Sequence, residues 1–231
     1  EKSPSSTGTK TEMFPTVVYK KNVGHSKPGT FPVESDLVRI TDLTNTFVQK
    51  GGTIICENRS VVVDRAADPR IEFVSGQWDH VFGSSVYGER ALINLCEPAN
   101  ESFKNGVLLS GRNDFNWYHW MIEYMPRAIE VDPVIDAEIP WIITNRVPKS
   151  GIDALKMISS REIVVCDSEK LHSFSSLKVM APNASVIDTL LAPWEKICKF
   201  NLENLRILRK NLIGVDTKPK FARKVFIERA S

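Results

Sequence analysis

The sequence has no CxxC pair, no GxGxxG, no Walker A loop, no GxSxG and no DxD. The first absence argues against a zinc ribbon or a thioredoxin-type site. The next three remove the glycine-rich phosphate loops and the serine-hydrolase elbow. Cysteine is scarce: Cys56, Cys96, Cys166 and Cys198 stand far apart. That is no disulfide framework, so the four read as buried small hydrophobes. His25, His80, His119 and His172 lack metal-ligand spacing. The nearest acid pairs are Glu34/Asp36, Asp136/Glu138 and Asp167/Glu169. Each reads as a solvated turn rather than a metal site. No apolar run approaches the roughly 18 residues of a membrane span. A strong charge of one sign is also missing. The net charge is +2, whereas a dedicated nucleic-acid binder carries a strong basic excess.

What is present suits a globular protein. At 231 residues and 42% hydrophobic, the chain can bury a substantial core as one large domain or two small ones. It begins with Glu1 rather than Met, and Ser231 follows a strand-like run. A piece of a longer chain is therefore expected, with any upstream signal or anchor left open. Residues 1–15 read as a flexible linker, because residues 1–12 hold no large apolar side chain.

Residues 16–105 read as β-rich. Thr16–Tyr19, Thr53–Cys56, Ser60–Asp64 and Ala91–Leu95 are short β-branched runs, with a hairpin around Glu57–Arg59. Residues 106–222 change rhythm. Strands are expected at Val107–Ser110, Pro140–Thr144, Glu162–Cys166 and Leu177–Ala181. Helices are expected at Asn116–Val131, Ser150–Ser159 and Trp194–Leu212. Lys224–Glu228 reads as a further strand. Apolar strands alternating with helices predict an α/β fold, with a parallel sheet covered on both faces in three layers.

The most informative stretch is Asn113–Glu130. Five of the 20 aromatic residues fall within Phe115–Tyr124. Asn116 is a good helix N-cap. At about 100° per residue, Asn116, His119, Glu123, Arg127 and Glu130 share one narrow sector of about 80°. The rest of the wheel is Trp, Tyr, Met, Ile, Ala and Pro, so the helix should be mostly buried with one polar strip. Pro126 should kink it or release a carbonyl. The strip admits two readings. One is a solvated ladder of i,i+4 pairs. The other is a cleft lining in which His119 or Glu123 acts as base and Arg127 holds an anion. Residues 206–231 carry eight Lys/Arg against two Asp/Glu. That basic run reads either as a solvated helix end or as an attraction for a diphosphate or an anionic membrane surface.

Asn116–Arg127, NWYHWMIEYMPR, resembles the hallmark of glycosyltransferase family 61, close to N-Y-Y-H-W-L-x-E-x-L-P-R in its bacterial, capsular-polysaccharide-type members. Asn116, Tyr118, His119, Trp120, Glu123, Pro126 and Arg127 fit. Lys224–Arg229, KVFIER, is similar to the family strand ending in I-S-R, with Glu228 in place of Ser. The resemblance covers the first half of the family's catalytic unit. The second half, with a G-x-H-G-A-like loop, has no counterpart in this sequence.

The resemblance implies a Rossmann-like half of a GT-B-type enzyme over 106–222, with 223–231 opening the donor-binding half. It implies transfer of a sugar, with inversion, from a nucleotide-sugar donor, expected to be a UDP-sugar, to a glycan acceptor. No cofactor is expected in this segment, and GT-B chemistry needs no DxD metal. His119 and Glu123 are then the catalytic candidates. Asn116, Tyr118, Trp120 and Arg127 are the substrate-binding ones, and Arg229 is the donor-diphosphate contact. The setting would be cytoplasmic or membrane-peripheral in a bacterium, or the secretory lumen in a eukaryote. Nucleic acid is not an expected partner. The competing reading is a non-catalytic module that holds a glycan or a protein on the same scaffold.

Overall fold

The computed structural model describes residues 11–18, 40–63, 84–87, 90–111, 113–180 and 202–213. The strands are β1 (Thr11–Val18), β2 (Ile40–Gln49), β3 (Thr53–Cys56), β4 (Val61–Val63), β5 (Ser84–Tyr87), β6 (Arg90–Asn94), β7 (Glu97–Leu108), β8 (Trp141–Thr144), β9 (Ile163–Cys166) and β10 (Lys170–Met180). The helices are α1 (Trp117–His119), continued by a π-helical turn (Trp120–Tyr124) into α2 (Met125–Val131), then α3 (Lys149–Ile158) and α4 (Leu202–Ile213). Among the described residues the strands lie in one mixed sheet, ordered β5-β6-β1-β4-β3-β2-β10-β7-β8-β9.

The expected hairpin is there. Ile54 faces Val62 and Ile55 faces Val61 across antiparallel β3 and β4. Arg59 takes φ 61, and Asn58 Oδ1 accepts from Ser60 N at 3.1 Å, which closes the turn. Strands β10, β7, β8 and β9 are mutually parallel, as the alternating strand and helix rhythm implied. Val107 pairs with Trp141, and Trp141 with Ile163.

Three expectations are corrected. The strand β1 begins at Thr11 and pairs with β6, so residues 11–15 of the expected linker lie in a sheet. The boundary at 105/106 falls inside β7, and β10 joins β2 on one side to β7 on the other. The β-rich and α/β regions therefore share one sheet. The third correction concerns the layers. Val107, Leu109, Trp141 and Ile143 face the helices, packing on Trp120, Met125, Ala128, Leu155 and Leu208. Leu108, Ile142 and Cys166 point the other way, onto Val48, Ile54 and Val62 from β2, β3 and β4. Strands rather than helices cover that second face among the described residues.

The connection between β9 and β10 explains the difference. It is only Asp167–Glu169, too short for a crossover helix, which needs about a dozen residues. The Cys166 thiol is buried and pushed up to about 12 by burial first and Glu101 second. It behaves as the hydrophobe expected, whereas Cys56 and Cys96 are half-buried. Cys198, Lys224–Glu228 and residues 194–201 of the expected long helix lie outside the described residues.

Candidate functional site

The helix carrying the motif starts at Trp117, and residues 109–116 separate it from the end of β7. Asn116 caps it, with φ −90 and ψ 117, and its side chain accepts from Tyr118 N at 2.9 Å. One turn later the geometry widens: Met125 N donates to Trp120 O, five residues back. Pro126 follows at the start of α2. A proline has no N–H to give, and its ring collides with the carbonyl four residues earlier in an α-helix. A π turn relieves both problems without ending the helix, and such turns recur at functional sites. The kink expected at Pro126 therefore takes the form of this wide turn.

The wide turn also divides the polar strip. His119 and Glu123, on its near side, meet at 2.6 Å between Nδ1 and Oε1. Their side chains are 22% and 12% exposed. Beyond it, Arg127 is buried, its guanidinium carbon 5.1 Å from the centre of the Tyr124 ring. Glu130 accepts from Asn204 of α4 at 2.9 Å. A straight α-helical wheel places these last two residues beside Glu123. The extra residue in the turn sets α2 back on that wheel.

The aromatic residues separate just as sharply. Trp120, expected to bind substrate, is 0% exposed. Its indole N–H donates to Gly151 O at 3.1 Å, and it stacks on buried Tyr124. Its placement is that of a core side chain. Tyr118 is 53% exposed and Trp117 47%. The Tyr118 ring meets the His119 ring edge-on, 5.5 Å between centres. Arg229 lies outside the described residues.

A second group of residues, not singled out by the sequence, lies at the same end of the sheet. Asp114 is 0% exposed and follows β7 by six residues. Its Oδ2 accepts from Thr144 Oγ1 at 2.7 Å, and its Oδ1 lies 3.6 Å from Arg146 Nη2. Burial pushes the Asp114 carboxyl up, against the pull of Arg146 and the hydrogen bonds of Thr144 and Ser110. Thr144 N donates to Ser110 Oγ at 2.8 Å, tying the ends of β7 and β8 together. Arg146 in turn lies over Phe115, 4.8 Å from the ring centre. The turn between β2 and β3 closes in from the side. Gly52, at φ +82, is so near that a Cβ there would stand 2.6 Å from Ser110 O.

The signal for these residues was positional. They lie at the C-terminal end of β8 and in the loops that follow β7 and β8, where open α/β sheets hold ligands. Among the described residues no group of three or more His, Cys, Asp or Glu is placed to hold a metal ion. No described helix is long and apolar enough to cross a membrane. Comparison with protein-family models, with curated proteins and with solved structures finds no match to this chain.

Proposed function

We propose that this chain is the acceptor-side part of an inverting glycosyltransferase. The observation that carries this reading is the 2.6 Å contact between His119 and Glu123 at the start of the motif helix. An ionised Glu123 accepts the Nδ1–H of His119, which leaves the Nε2 lone pair of the neutral ring for an incoming proton. The same logic orients the histidine of a hydrolase triad. His119 is then the base and Glu123 the group that fixes its tautomer and stabilises the imidazolium.

In the step proposed, Nε2 takes the proton of an acceptor hydroxyl. The hydroxyl oxygen forms a bond to the anomeric carbon from the face opposite the leaving group. The bond from that carbon to the donor phosphate breaks, and the nucleoside diphosphate leaves with the electron pair. Arg229 is the residue of this chain proposed to meet that charge. The βαβαβ unit of β7, β8 and β9 is proposed to correspond to the Rossmann-like half of a GT-B enzyme.

The test is turnover by the full-length protein with a panel of nucleotide sugars and oligosaccharide acceptors. His119→Ala should lower kcat by about 10²–10⁴-fold with the acceptor KM changed far less. Glycan binding without turnover of any donor would instead favour the non-catalytic module.

A further inference from the structure

The loops after β7 and β8 hold a surface that the proposed proton transfer does not use. Val107 pairs with Trp141, so these loops leave adjacent parallel strands side by side. The first presents Phe115, 46% exposed. The second carries Arg146, whose side chain is 16% exposed and whose guanidinium carbon is 4.8 Å from the Phe115 ring centre. Behind them lies Asp114, fully buried, bonded to Thr144 at 2.7 Å and 3.6 Å from Arg146. Its Oδ1 has no hydrogen-bond partner among the described residues.

The charges of this surface are met locally. Asp114 faces Arg146, and the carboxylate of Glu123, 12% exposed, is taken up by its contact with the neutral His119 ring, so the surface carries at most one largely buried negative charge. What remains outward is aromatic: Phe115, Trp117 and Tyr118 are all exposed. An exposed apolar patch rimmed by polar groups marks an interaction site. A polyanion or a basic peptide gains little from a patch whose charges are already paired. A neutral ring with C–H faces and hydroxyl edges fits it: the aromatic rings take the faces, and the guanidinium takes an edge.

We infer that Phe115 and Arg146 form a shelf for a neutral pyranose ring of a glycan, with Asp114 as the positioning residue that holds Arg146 against Phe115. This rests on the transferase reading only in identifying that glycan as the acceptor. A purely structural role explains Asp114 poorly. Burying a carboxylate is costly, and an asparagine would keep the Thr144 contact without the charge.

The experiment is saturation-transfer NMR on the full-length protein. The probes are neutral hexasaccharides of glucose, xylose, mannose and N-acetylglucosamine, with inorganic pyrophosphate as the anionic arm. At least one hexasaccharide should bind, and Phe115→Ala should weaken it tenfold or more. Asp114→Asn should weaken it several-fold while the Tm holds or rises, and Arg146→Lys should weaken it too. The inference is overturned if no hexasaccharide binds, or if Phe115→Ala binds as the parent does. It also fails if pyrophosphate is the ligand that Phe115→Ala loses, or if Asp114→Asn loses Tm and binding together. Turnover is scored separately. Transfer with unchanged glycan affinity in Phe115→Ala removes the shelf and leaves the transferase. Shelf-dependent binding with no turnover does the reverse.

Discussion

Replacing Arg161 by alanine should be among the most damaging single changes in this fold. The side chain enters from the connection between α3 and β9 and is 2% exposed. Its Nε donates to Asp132 Oδ1 at 3.0 Å. Its Nη2 donates to the carbonyls of Asp132 at 3.1 Å and Ile135 at 3.0 Å. Its Nη1 reaches the carbonyls of Asp136 and Ile139. The guanidinium also lies over Trp141, 5.3 Å from the ring. One side chain thus secures the loop from α2 to β8, including carbonyls that the end of α2 leaves without helical partners.

Removing a buried guanidinium that serves Asp132 and four backbone carbonyls costs about 3–5 kcal/mol. Against a total stability of about 5–15 kcal/mol that is a large share. For a chain of this size it lowers the Tm by about 6–20 °C. Arg161→Lys keeps the charge but not the fork, so roughly half the loss should remain. Urea unfolding followed by far-UV circular dichroism measures both variants. Asp132→Ala combined with Arg161→Ala should lose less than the two single changes added together, because the two share a contact. A loss below about 1 kcal/mol in Arg161→Ala would refute the clamp, since that is no more than an exposed ion pair contributes.

Other consequences are testable in the same way. Gly52→Ala should cost about 2–4 kcal/mol in urea unfolding, from the left-handed φ together with the close approach to Ser110. A value near zero would mean that the turn moves freely from the end of β7. The Asp114 carboxyl is raised by burial, so the folded state holds its proton more tightly than the unfolded chain does. The stability this contributes is complete below the unfolded value of about 4 and is lost as pH rises through the folded value. Measured against Asp114→Asn, the parent protein should therefore lose stability as pH climbs from about 4. A parent-minus-variant stability that is flat with pH, or that rises, would contradict the assignment.

How far the sequence foretold this structure depended on whether local pattern and tertiary demand agreed. Thr53–Cys56, Val61–Val63 and Trp141–Thr144 are β-branched or apolar runs beside turn residues, and all three are strands. The strand β7 was legible only at Val107 and Leu108. Its earlier residues include Pro98, Asn100, Asn105 and Gly106, poor strand formers held in the sheet by pairing with β10. Likewise β2, with Asp42, Asn45 and three Thr, lacks a clean alternation and is defined by β10 and β3.

In the site, the cap at Asn116 and the i,i+4 meeting of His119 and Glu123 were readable from spacing. The divergence of Arg127 and Glu130 was not, because helical counting cannot register a π turn. Asp114, Thr144 and Arg146 were invisible for another reason. They lie up to 32 positions apart and meet only because β7 and β8 are neighbours.

The central claim is that His119 is a base oriented by Glu123. Its most direct measurement is the pH profile of kcat/KM for Glu123→Gln in the full-length protein, with the donor and acceptor that support turnover. The account predicts kcat/KM lowered by about 10²-fold or more across the profile, because the base has lost the carboxylate that orients it. An unchanged profile with near-parent kcat/KM would contradict it.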